Sequence, residues 1–216
     1  MKVEKRVVIL GAGGHARVVC DILRLCGHKV IGFLDDDPAL TGSQLLGLPV
    51  LGGTERVAEL DIDAAIVGIG ENHLRQAFYE RLRARGIPPI NAIHPSAVIA
   101  QDVRLGSGLA VAANVVVNPG SQIGDDVILN TSCSVDHDCL IEEHAHVAPG
   151  VRLCGGVSVG RGTLVGVGAC VIPYKTIGAE VTIGGGATVT RDLPDGVTAV
   201  GVPARIIRWK APPLPG

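Results

Sequence analysis

The apolar residues of this chain follow two rhythms that meet near residue 93. In the first stretch, Arg6–Leu10 reads as a short apolar strand ending in Gly11-Ala12-Gly13-Gly14-His15-Ala16. Val18, Val19, Ile22, Leu23 and Leu25/Cys26 then recur at helical spacing, and Gly27 suits the end of that helix. Lys29–Leu34 reads as a second strand closed by Asp35-Asp36-Asp37-Pro38. Residues 49–51 form a short strand, and residues 64–69 a clearer one that runs into Gly70-Glu71-Asn72. An amphipathic helix over 74–85 stops at Gly86. Strands alternating with helices predict a small α/β, Rossmann-like parallel sheet with right-handed crossovers.

From Ile93 the period changes to six. Ile93, Ile99, Leu105, Val111, Val117, Ile123, Leu129, Val135, Ile141, Val147, Leu153, Val159, Val165, Val171, Ile177, Ile183 and Val189 are all aliphatic, with no insertion between them. Agreement at every one of these positions is far beyond chance. The position after each is often small (Gly106, Gly124, Gly160, Gly166), and the fifth slot is small or medium (Ser121, Cys133, Cys139, Ala145). Such hexads predict a parallel β-helix of triangular section: aliphatic slots point inward, each stacks on the residue eighteen positions on, and small residues turn the corners.

Composition agrees with a narrow core. Only 2% of the chain is aromatic against 47% apolar, so Val, Ile, Leu and Ala must fill the interior, and stacking surfaces for nucleic acid are excluded. A net charge of -2 leaves no basic footprint for nucleic acid. No apolar run reaches the roughly 18 to 20 residues of a membrane span, and no cleavable leader is legible, so a cytoplasmic protein is expected. The six cysteines contain no CxxC pair and read as reduced core residues.

Gly11, Gly13 and Ala16 satisfy G-x-G-x-x-G/A between a strand and a helix, and Asp35 follows at the second strand end. This stretch lacks a second mononucleotide half, which disfavours an NAD enzyme. In the coils His137 stands beside Asp138 with Asp136 as a rival carboxylate. From the residues alone it is either a general base or a polar coil residue. His144 and His146 complete a trio that invites a zinc reading. Because the three occupy the third, fourth and sixth hexad slots, they should project apart, so no metal is expected within one chain.

The hexads, Gly201-Val202-Pro203-Ala204 after them, the glycine-rich unit at 11–16 and the run Asn130-Thr131-Ser132…Val135-Asp136-His137-Asp138-Cys139 together resemble one family. It is the sialic acid O-acetyltransferase/nucleotide-sugar N-acetyltransferase branch of the left-handed β-helix acyltransferases, and the resemblance spans nearly the whole chain. It implies a nucleotide-sugar-binding unit at 1–92, a left-handed β-helix at 93–196 and a C-terminal tail at 197–216. It implies acetyl-CoA-dependent N-acetylation of the 4-amino group of a nucleotide-linked 4-amino-4,6-dideoxyhexose for surface-glycan synthesis. His137 would be the base and Asp138 its support. His146, Gly155, Val167 and Pro173 would meet acetyl-CoA between subunits of a homotrimer, and the Gly155 N–H would face the thioester oxygen. Gly13, Gly14, His15, Asp35, Asp36 and Gly70 would hold the nucleotide-sugar, with the aspartates accepting from base or ribose. His144 matches no role and is expected to be solvated; Arg205, Arg208 and Lys210 could face CoA phosphates. O-acetylation of a sialic acid or other sugar stays open, as do a zinc hydratase of γ-carbonic-anhydrase type and a non-catalytic nucleotide-sugar binder.

Overall fold

The computed structural model describes residues 4–209. The apolar run Arg6–Leu10 forms β1, followed by α1 (Gly14–Leu25), β2 (Lys29–Leu34), a small antiparallel pair β3 (Gln44–Leu45) and β4 (Leu48–Pro49), β5 (Ala64–Val67) and α2 (Asn72–Ala84). The sheet order is β2-β1-β5, all parallel, with β1 buried along its apolar residues. Phe33, Phe78 and Tyr79 are buried here, in the part of the molecule wide enough to hold rings.

The coils begin at Ala92–Ile93, and two-residue strands recur at every hexad as far as Thr188–Val189. Each pairs in parallel with the strand eighteen residues on, as in Val117 with Val135 and Val135 with Leu153. Three faces result. The first carries Ala92–Ile93, Ile128–Leu129 and His146–Val147, the second Val116–Val117 and Ser134–Val135, and the third Gln122–Ile123 and Leu140–Ile141. The hexad residues from Val111 on are buried inside with Cys133, Cys139 and Ala145 of the fifth slot, as their pattern predicts, while Ile93, Ile99 and Leu105 of the first coil are half-buried.

The corners work differently from the sequence expectation. Left-handed backbone falls three residues after each aliphatic slot from Leu105 to Ile183: every sixth residue from Gly108 to Gly186 has φ between 55° and 76°. Seven of these are not glycine, among them Asp126, Asp138, His144 and Tyr174. The small residue directly after the aliphatic slot serves close stacking instead. A Cβ on Gly124 would lie 2.6 Å from the Glu143 amide nitrogen, and one on Gly160 2.5 Å from that of Ala179.

The stretch expected as a tail from 197 is structured to its last described residue. Val197–Val200 adds in parallel to Thr182–Ile183, and Arg205–Trp209 returns antiparallel on Val197–Val200, so the first face grows to eight strands. Arg205 and Arg208 lie on this exposed last strand, whereas Lys210 falls outside the described residues.

Candidate active site

The N-terminal unit opens a cleft at the carboxyl ends of its strands, where ligands of open α/β sheets bind. Gly13, Gly14, His15, Asp35, Asp36 and Gly70 all line one cavity of about 350 Å³ there, with Thr54, Leu74 and Phe78. Gly13 precedes α1 without a side-chain cap, and a Cβ on Gly13 or Gly14 would meet open space. The first amides of a twelve-residue helix therefore face the cleft bare, an arrangement that favours a phosphate. Both aspartates accept hydrogen bonds within the loop. Asp35 Oδ2 accepts the Ala12 N–H at 2.7 Å and Oδ1 that of Asp37 at 3.0 Å, while Asp36 Oδ1 accepts the Thr54 N–H and hydroxyl at 2.7 and 2.8 Å. These bonds shape the loop at the end of β2.

α2 docks this unit on the corner between the third and first faces through polar side chains. Asn72 Nδ2 donates to Gly162 O at 2.8 Å, and the Tyr79 hydroxyl donates to Asp125 Oδ2 at 2.8 Å. Between them the buried Arg75 donates Nε to Asp126 O and Oδ2 at 3.0 and 3.1 Å, and Nη2 to His144 O at 2.5 Å. His144 in turn donates Nδ1–H to Asp126 Oδ2 at 2.9 Å and meets Tyr79 edge-on. His144 is thus buried, not solvated, because α2 covers its corner. Asn72, Arg75, Tyr79 and Asp126 escaped the sequence reading. The available signal was a charged residue in register with Phe78, Tyr79 and Leu82 on the buried face of the helix.

His146 leaves the first face toward the cleft. Its Nδ1–H donates to Gly70 O at 3.2 Å, and its Nε2 accepts from Asn130 Nδ2 at 3.2 Å. Burial, then the Arg75 charge and His15, push its pKa down to about 4. His15 is likewise pushed down to about 4, by burial and then Arg75. Both rings are neutral at pH 7.

His137 stands at another corner, between the second and third faces. Its Nδ1–H donates to Asp138 Oδ2 at 2.9 Å, and this hydrogen bond raises its pKa. Asp136 is engaged elsewhere: its Oδ1 accepts from Asn118 Nδ2 and from the His137 N–H, both at 2.8 Å, which lowers its own pKa. Gly155, one coil on, lies against the imidazole so closely that a Cβ there would sit 2.5 Å from Cε1 and Nε2. Pro173 and Tyr174 follow on the same corner, with Tyr174 73% exposed as expected of the lone ring in the coils. Val167 instead occupies the corner between the first and second faces, and His146 a face. One chain therefore gathers Gly155 and Pro173 beside His137 but brings neither Val167 nor His146 to them. Within one chain the three imidazoles hold separate partners.

Comparison with known proteins identifies the chemistry such a molecule performs. The PglD N-terminal domain matches residues 6–82. GDP-perosamine N-acetyltransferase of Escherichia coli O157:H7 is 31% identical over 209 residues, covering 91% of this chain and 94% of that protein. The chain belongs to the nucleotide-sugar N-acetyltransferase family. Two solved structures extend the likeness. One is a variant of perosamine N-acetyltransferase from Caulobacter crescentus in complex with CoA and GDP-perosamine. It shares 48% identity at a TM-score of 0.89, with 93% of this chain and 95% of that one covered. The other, the acetyltransferase domain of PglB from Neisseria gonorrhoeae with acetyl coenzyme A, shares 34% identity at a TM-score of 0.89, with 95% and 100% covered. The acetyltransferase accordingly combines a Rossmann-like unit with a left-handed β-helix, and the handedness comes with the family.

Proposed function

We propose that the protein transfers the acetyl group of acetyl-CoA to the 4-amino group of a nucleotide-linked 4-amino-4,6-dideoxyhexose of GDP-perosamine type, in surface-glycan synthesis in the cytoplasm. The observation that carries this reading is the bare α1 N-terminus in a cleft lined by all six expected residues, together with the His137–Asp138 pair. The complexes of the Caulobacter relative with CoA and GDP-perosamine support the choice of substrates. Phosphates sit on the α1 amides. His137 Nε2 takes the proton from the amine as nitrogen bonds to the thioester carbon; the C–S bond breaks and the thiolate leaves, to be protonated by the imidazolium. Asp138 holds the ring and stabilises its charge. The Gly155 N–H faces the developing oxyanion, and acetyl-CoA runs past His146, Val167 and Pro173. Transfer is direct, since Cys133 and Cys139 are buried; burial pushes the Cys133 thiol up to about 12.

We infer that a second copy completes the site, as in a trimer. The nucleotide-binding unit docks on one corner while His137 occupies another, so an adjacent copy is needed to bring its His137 to this cleft. Thiol release from acetyl-CoA against UDP-, GDP- and dTDP-linked 4-amino sugars tests the reading. Release with one nucleotide amino sugar is expected; release with free sugars or hydroxyl acceptors alone would overturn it.

A further inference from the structure

We propose that Arg75 is a positioning residue for His146, holding that ring in a single neutral tautomer through the Gly70 carbonyl. The inference rests on His146 serving the acetyl-CoA end of the site. Arg75 is 1% exposed and lines neither the cleft nor the cavity of about 400 Å³ beside it, where Gly70, His73 and His146 meet Leu164. Its guanidinium nevertheless grips both sides of that junction. Nη1 donates to Asn72 Oδ1 at 2.9 Å and, at longer range, to Gly70 O at 3.4 Å, in the loop that closes the cleft. Nε and Nη2 hold Asp126 and the His144 carbonyl, at the corner that leads directly into His146. One rigid fork thus sets the position of the Gly70 oxygen relative to the coil.

That oxygen decides the state of the imidazole. A carbonyl only accepts, so the ring hydrogen of His146 lies on Nδ1 and Nε2 keeps its lone pair. The groups facing the ring are Arg75 and His15 from the N-terminal unit and Asn130 from the coil before it, with Glu71 and His73 on the wall of the shared cavity. Burial and the Arg75 guanidinium oppose a second positive charge there, which keeps Nε2 an acceptor. A neutral Nε2 accepts the Asn130 Nδ2–H and so fixes the ring at the acetyl-CoA end of the site; an imidazolium could not accept it.

The test reads the ring without substrate. In ¹⁵N NMR of the wild-type protein, His146 is expected as one Nδ1–H tautomer that does not titrate near neutral pH. Arg75→Met/Asp126→Asn removes both buried charges together. It should give a tautomer mixture, an upward shift of the His146 titration and about a tenfold loss of kcat/KM for acetyl-CoA. Arg75→Lys keeps the charge and loses the fork; it should loosen the tautomer while the ring stays neutral. An Nε2–H ring in the wild type overturns the proposal. So does a wild-type His146 spectrum in either folded variant, and Arg75→Lys decides if the double variant does not fold. Absence of acetyl transfer to every nucleotide sugar would refute the functional reading while leaving these spectra unaltered, so the two failures are distinct.

Discussion

At one corner of the prism His137 donates Nδ1–H to Asp138 at 2.9 Å, and at the next His144 donates Nδ1–H to Asp126 at the same 2.9 Å. In both pairs the aspartate occupies a left-handed corner position. The surroundings differ. The His137 and Asp138 side chains are 51% and 72% exposed, whereas those of His144 and Asp126 are 6% and 1% exposed beneath Arg75. An exposed ring with a free Nε2 can exchange a proton with a ligand. A buried ring whose carboxylate also binds a guanidinium is part of a joint. Residue types and contact distance do not separate a base from a fastening; what covers the pair does.

The largest expected effect is on the exposed pair. His137→Ala should cut kcat for acetyl transfer by about 10²–10⁴-fold, the usual worth of a general base, and leave the thermal transition in place. Full turnover in that variant would erase the distinction between the corners. Asp126→Ala should do the reverse first. It leaves Arg75 buried without its carboxylate and should cost about 3–5 kcal/mol of unfolding free energy in denaturant titrations. A loss under about 1 kcal/mol, the range of exposed ion pairs, would mean the buried corner is not a joint.

Gly155→Ala sharpens the comparison from the neighbouring coil. Its Cβ would fall 2.5 Å from the His137 ring, so the imidazole must swing away. About a 10²-fold fall in kcat is expected, as for a small misplacement of a reacting group, with little change in melting temperature. Wild-type kcat would show that the ring position seen here is not the working one.

The repeat was readable because each inward slot imposes the same demand on one residue type, seventeen times over. The contact of His137 with Asp138, on which the proposed chemistry rests, was legible because the two are adjacent in the chain. The joint was not. Arg75 resembles the other arginines of α2, and its role depends on Asp126 and His144, 51 and 69 residues away. The corner conformation was misplaced for a related reason: the left-handed slot holds Asp, His, Tyr and Glu as well as Gly, so small size does not mark it.

The smallest effect divides the two carboxylates near His137. A base works only when neutral, so the rate should fall as pH drops through the pKa of His137, which the Asp138 hydrogen bond holds above its ordinary value. Asp138→Asn removes the negative partner, lowers that pKa and moves the acid limb of kcat to lower pH. The same loss makes the imidazole a weaker base, so the plateau at neutral pH should fall, by about tenfold at most. The variant profile should therefore approach or cross the wild-type one on the acid side and lie below it above neutrality. Asp136→Asn should shift the limb less, because that carboxylate is spent on Asn118 and the His137 amide rather than the ring. If Asp136→Asn moved the limb and Asp138→Asn did not, the catalytic pair would be His137 with Asp136, and its likeness to His144 with Asp126 would end at the distance.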